Sequence, residues 1–210
     1  VTRWLAAALA AAAFAAGAWW GTNAVGGSDS HCYVGQARMF LDGRASMPPP
    51  IPPPVPWPAA PATFVPSGFV AKDAIGNGVP LCPAGLPVFM VGAIAVGGPG
   101  AWFWVVPVFG ALAIWSTYLL GRHVACPAVG LSAAVMTLCS PTFLYQLFQP
   151  MSDVPAAGLW AAALAAATSG LASRERDRWT PAVSGLLTGL AVMVRPNLAP
   201  LVIVPLALVW

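Results

Sequence analysis

Five apolar stretches govern what this chain can fold into: roughly Trp4–Trp20, Ala101–Leu120, Val124–Leu144, Val154–Ala172 and Pro181–Val194. A sixth begins near Leu198. An α-helix needs about 20 residues, at a rise of about 1.5 Å each, to cross about 30 Å of hydrocarbon. The second, third and fourth stretches meet that length, and the first and fifth fall slightly short. Of the 210 residues, 59% are hydrophobic and 7% charged, where a soluble domain carries about 25% charge. The expected class is all-α, a polytopic transmembrane helix bundle. The last run is about half a span, so residues 1–210 read as one transmembrane domain, incomplete at its C-terminus. The first run also fits a signal peptide, with Arg3, an apolar core and the small residues "AAGA". Its length and the pair Trp19–Trp20 favour a span with an interfacial belt.

The net charge of +3 is too small for a nucleic-acid binder, and no basic run is interleaved with aromatics. Cys32, Cys82, Cys126 and Cys139 form no CxxC pair, which argues against a zinc site.

Topology turns on "LCPAGLPVFMVGAIAVGG", Leu81 to Gly98. Pro83 and Pro87 interrupt its start and Gly97-Gly98-Pro99 its end. About 11 uninterrupted residues remain, too few to span and suited to an interfacial segment. If it does not cross, Arg3, Arg122 and the cluster Arg174, Arg176, Arg178 share one side, cytoplasmic by the positive-inside rule. The N-terminus is then cytoplasmic and the protein is multi-pass in the plasma membrane. Asp29, Asp42, Asp73 and Asp153 fall on the outer face, while Glu175 and Asp177 stay inside among arginines.

The first outer loop then runs from residue 21 to about 100, with short interfacial helices. Asp29 to Leu41 reads as an amphipathic helix with Tyr33, Ala37, Phe40 and Leu41 on one face and Gly43 as its stop. Ser28 or Asp29 is the expected N-cap. Met47 to Pro66, "MPPPIPPPVPWPAAPATFVP", is a proline-rich segment expected to be extended, acting as a spacer over the membrane or as a proline-motif ligand. An oxidising exterior permits a Cys32–Cys82 disulfide, although sequence separation says nothing about distance. Cys126 and Cys139 fall in the third span as packing residues.

Several polar residues have two readings from their surroundings alone. His31 is a solvated loop histidine or a base. Lys72 pairs with Asp73 at the surface or contacts an anionic substrate. Asp153, in "QPMSDVPAAG" before the fourth span, caps that helix. Alternatively it faces an outer cavity, where it orients substrate or holds a divalent cation such as Mg²⁺ or Mn²⁺. Arg195, before Pro196, snorkels to a headgroup or pairs with a phosphate.

Four segments carry a family resemblance. They are "DSHCYVGQARMFLDG", "PAGLPVFMVGAIAVGG", "GALAIWSTYLLGRHVACPAVGLSAAVMTLCSPTFLYQ", and "QPMSDVPAAGLW" with "GLAVMVRPNLAPL". In order and spacing they resemble the N-terminal half of the GT-C fold glycosyltransferases, polytopic enzymes such as protein O-mannosyltransferases and lipid A aminoarabinose transferases. The resemblance implies a polyprenyl-phosphate-linked sugar as donor, an exported glycan, lipid or protein as acceptor, and inversion at the anomeric carbon. It makes Asp29 the general base, with Asp153 a second acid. Arg195, Lys72, Tyr33 and His31 become candidates for contact with the substrate or its phosphate. Many relatives have Asp-Glu at the first position; here Ser30 follows Asp29. Two other classes remain: a transporter or channel subunit, which calls for polar residues at mid-span that are nearly lacking here, and a non-catalytic membrane scaffold.

Overall fold

Runs of alanine, leucine and glycine with few β-branched interruptions favour long helices, and the chain is mostly helical. The structure, a computed structural model, describes residues 1–49, 59–172 and 179–209. In chain order the elements are α1 (Thr2–Trp20), α2 (Ser28–Leu41), α3 (Ala60–Thr63), β1 (Phe69–Ala71), β2 (Gly78–Pro80) and α4 (Gly85–Gly97). A 3₁₀ turn at Ala101–Trp104 leads into α5 (Val105–Val124). Then come α6 (Pro127–Leu138), α7 (Pro141–Leu147), α8 (Asp153–Ala172) and α9 (Trp179–Val194). A second 3₁₀ segment, Pro196–Val202, precedes α10 (Ile203–Val209). Arg174, Glu175, Arg176, Asp177, Arg178 and the centre of the proline-rich tract lie outside the described residues.

The chain divides into two compact units, Val1–Thr22 with Phe103–Trp210, and Asn23–Trp102. The first is a helical bundle. In it α5 packs against α1, α6 and α8, and α9 packs against α8. Side-chain and backbone contacts set the directions. Thr2 Oγ1 lies 3.4 Å from the Tyr118 hydroxyl, and Gly17 lies against Pro107, so α1 and α5 are antiparallel. His123 Nδ1 meets Thr168 Oγ1 at 3.2 Å, and Gly158 lies against the Phe109 carbonyl, so α5 and α8 run in the same direction. The buried Ser184 hydroxyl donates to the Ala163 carbonyl at 3.0 Å, midway along the antiparallel α8–α9 pair. A Cβ on Gly158 would lie 2.7 Å from the Phe109 carbonyl oxygen. Glycine there lets the α5 and α8 backbones touch, with buried Val106, Leu147 and Val154 alongside. Around Ala6, Ala13, Ile114, Tyr118 and Ala134 a second core cluster forms.

Two ends follow from these directions. One gathers the C-terminus of α1, the start of α5, the end of α7, the start of α8 and the end of α9. There the Thr22 N–H donates to the Phe148 carbonyl at 2.8 Å. The other end holds Thr2, Tyr118, His123 and Thr168, with Arg3 on α1 and Arg122 on α5.

The third expected span is broken. Helices α6 and α7 meet at a bend of 64°. Pro141 is the reason: it lacks a backbone N–H and pushes the preceding residue into extended conformation. Ser140 is extended (ψ 121°) and its Oγ caps α7 by accepting from the Phe143 N–H. Among the described residues one helical stretch, Ala101–Val124, is long and apolar enough to cross a membrane, with 24 residues and a mean hydropathy of 1.7. The two helices on either side of the bend meet the same test only when joined, and α9 and Pro196–Val209 are shorter apolar helices.

The second unit packs α2 against α4 and adds an antiparallel hairpin that the sequence reading did not foresee, with Phe69 opposite Pro80 and Ala71 opposite Gly78. Met47 pairs with Gly78 through two backbone hydrogen bonds of 2.8 and 2.7 Å. Helix α4 is 13 residues long, about 20 Å at the usual rise. It buries Leu86 and Met90 and leaves Val88 and Val96 exposed. The expected apolar face of α2 is corrected. Tyr33 and Ala37 are buried, but Phe40 and Leu41 are exposed. Burial instead nearly surrounds the helix from Cys32 to Ala37, because the hairpin covers one side and α4 another. Gly35 is part of that closeness: a Cβ there would lie 2.9 Å from Phe69 Cζ.

Candidate functional site

Each unit carries its own group of polar residues. In the second unit they cluster at the head of α2. The N-cap is Gly27, so neither Ser28 nor Asp29 caps the helix as expected. Ser30 does that work: its Oγ accepts from the Gly27 N–H at 3.1 Å and donates back to the Gly27 carbonyl at the same distance. The sequence signal for it is a hydroxyl three residues beyond a glycine that opens a helix. Asp29 is thereby left in the first turn, exposed, where the helix dipole favours a negative charge. Among the described residues its carboxylate has no hydrogen-bond or ion-pair partner.

Asp29 borders a cavity of about 240 Å³, lined also by Ser28, Cys32, Tyr33, Gly68, Leu81, Cys82 and Pro83. One wall is the Cys32–Cys82 disulfide, which ties α2 to the segment before α4 with its Cα atoms 6.1 Å apart. Beside it, Gly68 has φ +88°, and a Cβ there would lie 2.6 Å from the Ser28 carbonyl oxygen and 2.8 Å from Cys32 Cβ. Both its left-handed backbone and the close approach require glycine. Of the remaining wall residues, Tyr33 is 6% exposed.

His31 is not a solvated loop histidine, and Lys72 is not paired with Asp73. His31 is on α2, and its Nδ1–H donates to the Ser67 carbonyl at 2.9 Å, since a carbonyl can only accept. Its ring meets Phe69 edge-on at 5.8 Å. The imidazole therefore pins the strand-side loop to the helix rather than hanging in solvent. Lys72 does not pair with Asp73. The Asp73 carboxylate instead folds the turn between β1 and β2: Oδ1 accepts from the N–H groups of Ile75, Gly76 and Asn77 at 3.1, 3.0 and 3.1 Å. Oδ2 accepts from Asn77 Nδ2 at 2.7 Å. The Asn77 side-chain amide, then the Asn77 backbone N–H, holds the Asp73 carboxyl below the ordinary aspartate range against the opposing effect of desolvation, with the Ile75 and Gly76 N–H groups adding to it. Lys72 is exposed and takes part in the turn through its backbone, donating to the Asn77 carbonyl at 2.7 Å.

The bundle brings together two residues that lie 42 positions apart. Arg195 Nη1 donates to Asp153 Oδ1 at 2.6 Å, the two side chains being 38% and 29% exposed. Antiparallel packing of α8 and α9 makes the meeting possible. Asp153 opens α8, and Arg195 follows the last residue of α9, with its N–H bonded to the Ala191 carbonyl at 2.9 Å. Pro196 holds Arg195 out of the helical region (φ −140°, ψ 84°), which ends α9 there. Asp153 therefore serves less as a cap than as a partner for Arg195. An ion pair at this exposure contributes on the order of 0.2–1 kcal/mol.

Among the described residues no group of three or more His, Cys, Asp or Glu side chains is placed to hold a metal ion. The carboxylate proposed for Mg²⁺ or Mn²⁺, Asp153, instead takes a guanidinium.

The chain matches no protein-family model, no curated protein and no solved structure.

Proposed function

We propose that this is a membrane-embedded bundle of GT-C glycosyltransferase type, which moves a sugar from a polyprenyl-phosphate donor to an exported acceptor. The observation that carries the reading is the division of charge between the two ends of the bundle. Arg3 and Arg122 stand at one end without an acidic partner among the described residues, as a cytoplasmic face requires. Asp153 and Arg195 stand at the other.

Between the ends the surface is apolar: Leu5, Val108, Met136, Val183 and Leu186 are all exposed. Exposed indoles flank it, Trp4 and Trp179 toward the first end, Trp19, Trp20 and Trp104 toward the second. This arrangement suits lipid with aromatic belts. In this reading Arg195 offers its remaining N–H groups to the donor phosphate, and Asp153 orients the guanidinium. Asp29, exposed and without a partner among the described residues, takes the proton from the acceptor hydroxyl as that oxygen attacks.

Two experiments test this. With full-length protein in membranes and a polyprenyl-phosphate sugar, Asp29→Asn is expected to lower transfer about 100-fold or more. Undiminished transfer removes Asp29 as base. Separately, an impermeant thiol reagent applied from outside should label Asn197→Cys and spare Arg122→Cys; the opposite pattern inverts the orientation.

A further inference from the structure

One wall of the Asp29 cavity is the Cys32–Cys82 disulfide. A disulfide is broken by a thiolate approaching one sulfur along the S–S axis, and access decides which sulfur is attacked. Cys32 is 2% exposed, whereas Cys82 is partly open to solvent, and both border the cavity. Cys82 is thus the more exposed residue of the pair, its Sγ lying 3.4 Å from Gln36 Oε1, and attack is expected there rather than at Cys32. Asp29 lies three residues before Cys32 on α2, hence on the same helix face, and borders the same cavity. A thiolate entering there must pass an exposed carboxylate with no partner among the described residues.

We propose that Cys32–Cys82 is a thiol-exchange site whose reactivity is gated by the charge of Asp29, which admits cationic thiols and turns away anionic ones. In the exchange, the incoming thiolate bonds to Cys82 Sγ, the Cys32–Cys82 bond breaks, and its electron pair leaves on Cys32 Sγ, which takes a proton from water. A second thiol resolves the mixed disulfide. Two small-molecule thiols thus become one small disulfide, and the protein gains two thiols. Among the described residues no charged group is bonded to Asp29. His31 is turned to Ser67, Arg38 stacks on Trp102 at 5.0 Å near the other end of α2, and the Asp73 carboxylate is consumed by its own turn. None of these neutralises Asp29.

Three thiols of similar size make the test: cysteamine, 2-mercaptoethanol and 2-mercaptoethanesulfonate. Their thiolate forms carry net charges of about 0, −1 and −2, so a nearby carboxylate spreads their rates. The rate of reduction of the full-length protein is read by mass spectrometry of alkylated Cys32 and Cys82, each normalised to the same thiol acting on an unstructured disulfide peptide. Asp29→Asn should leave cysteamine nearly unchanged, speed mercaptoethanol about two- to three-fold, and speed mercaptoethanesulfonate about four- to nine-fold at low salt. Asp42→Asn, an exposed acid beyond the far end of α2, should change none of them. A measurement without mutation stands beside it: raising ionic strength should narrow the normalised spread for the wild-type protein. Equal acceleration of all three thiols by Asp29→Asn, a spread insensitive to salt, or Cys32 and Cys82 alkylated before any reductant is added would each overturn the proposal. None of these readouts involves sugar transfer, so the site stands or falls separately from the proposed activity.

Discussion

Asp153 and Asp29 each sit in the first turn of a helix, yet the two units treat them in opposite ways. In the bundle, antiparallel packing returns the chain to the start of α8 and delivers Arg195 to Asp153 at 2.6 Å. In the smaller unit, Ser30 takes over the cap and Asp29 is left exposed beside a cavity. The contrast extends to how each unit is held. The bundle relies on small residues that let helix backbones touch, with few polar ties. The smaller unit has less to bury and relies on a disulfide, a carboxylate-built turn and a histidine strap. Of these two aspartates, one is thus held by an arginine and the other left exposed.

Removing the disulfide should have the largest effect. The Cys32→Ser, Cys82→Ser double variant is expected to cost the smaller unit about 2–5 kcal/mol, read as faster proteolysis between residues 23 and 102. The bundle's own unfolding midpoint should hold. If the bundle weakens equally, the two units do not differ in the way described.

Next in size is the bundle's dependence on close backbone approach. Gly158→Leu should cost about 1–3 kcal/mol through overpacking against α5, seen as a lower midpoint in SDS or thermal unfolding with the Cys32–Cys82 bond intact. A neutral result would mean that α5 and α8 are not in backbone contact.

Smaller still is the Asp153–Arg195 pair. A double-mutant cycle with Asp153→Ala and Arg195→Ala should return a coupling of about 0.2–1 kcal/mol, whereas pairing Asp153→Ala with Arg122→Ala, at the other end of the bundle, should return none beyond error. A coupling no larger than that control would mean that the Asp153–Arg195 pair is not formed.

The smallest effect concerns Asp73. Its folded carboxyl titrates below its ordinary value of 3.8, so the unfolded chain binds the proton more readily than the folded one. The turn's contribution is present above 3.8 and is lost as pH falls through the lower, folded value. The backbone amide of Asn77, followed by NMR, should therefore shift with a midpoint below 3.8 and lose that transition in Asp73→Asn. A midpoint above 3.8 would refute the turn as described.

Much of the helical framework was legible in the sequence because its signals are local. Apolar runs placed α1, α5, α8 and α9 within a few residues of their observed bounds. The break in the third run also had a local cause in Pro141, one that a length criterion alone passes over. The hairpin was not legible: β1 and β2 have three residues each, too short for an alternating pattern, and their turn depends on one carboxylate meeting three N–H groups. The buried face of α2 was misread for a related reason. A helical face is chosen by what packs on it, and Phe69, 36 residues beyond Tyr33, could not be placed against Gly35 from periodicity.

By itself the sequence determined most of the helices, because chain stiffness and apolar length act over neighbouring residues. Only the tertiary structure decided that Arg195 meets Asp153, that Cys82 meets Cys32, and that Asp29 has no partner among the described residues. Each of those outcomes depends on which distant segment returns within a few ångströms, and short-range electrostatics and covalent geometry cannot act until it does.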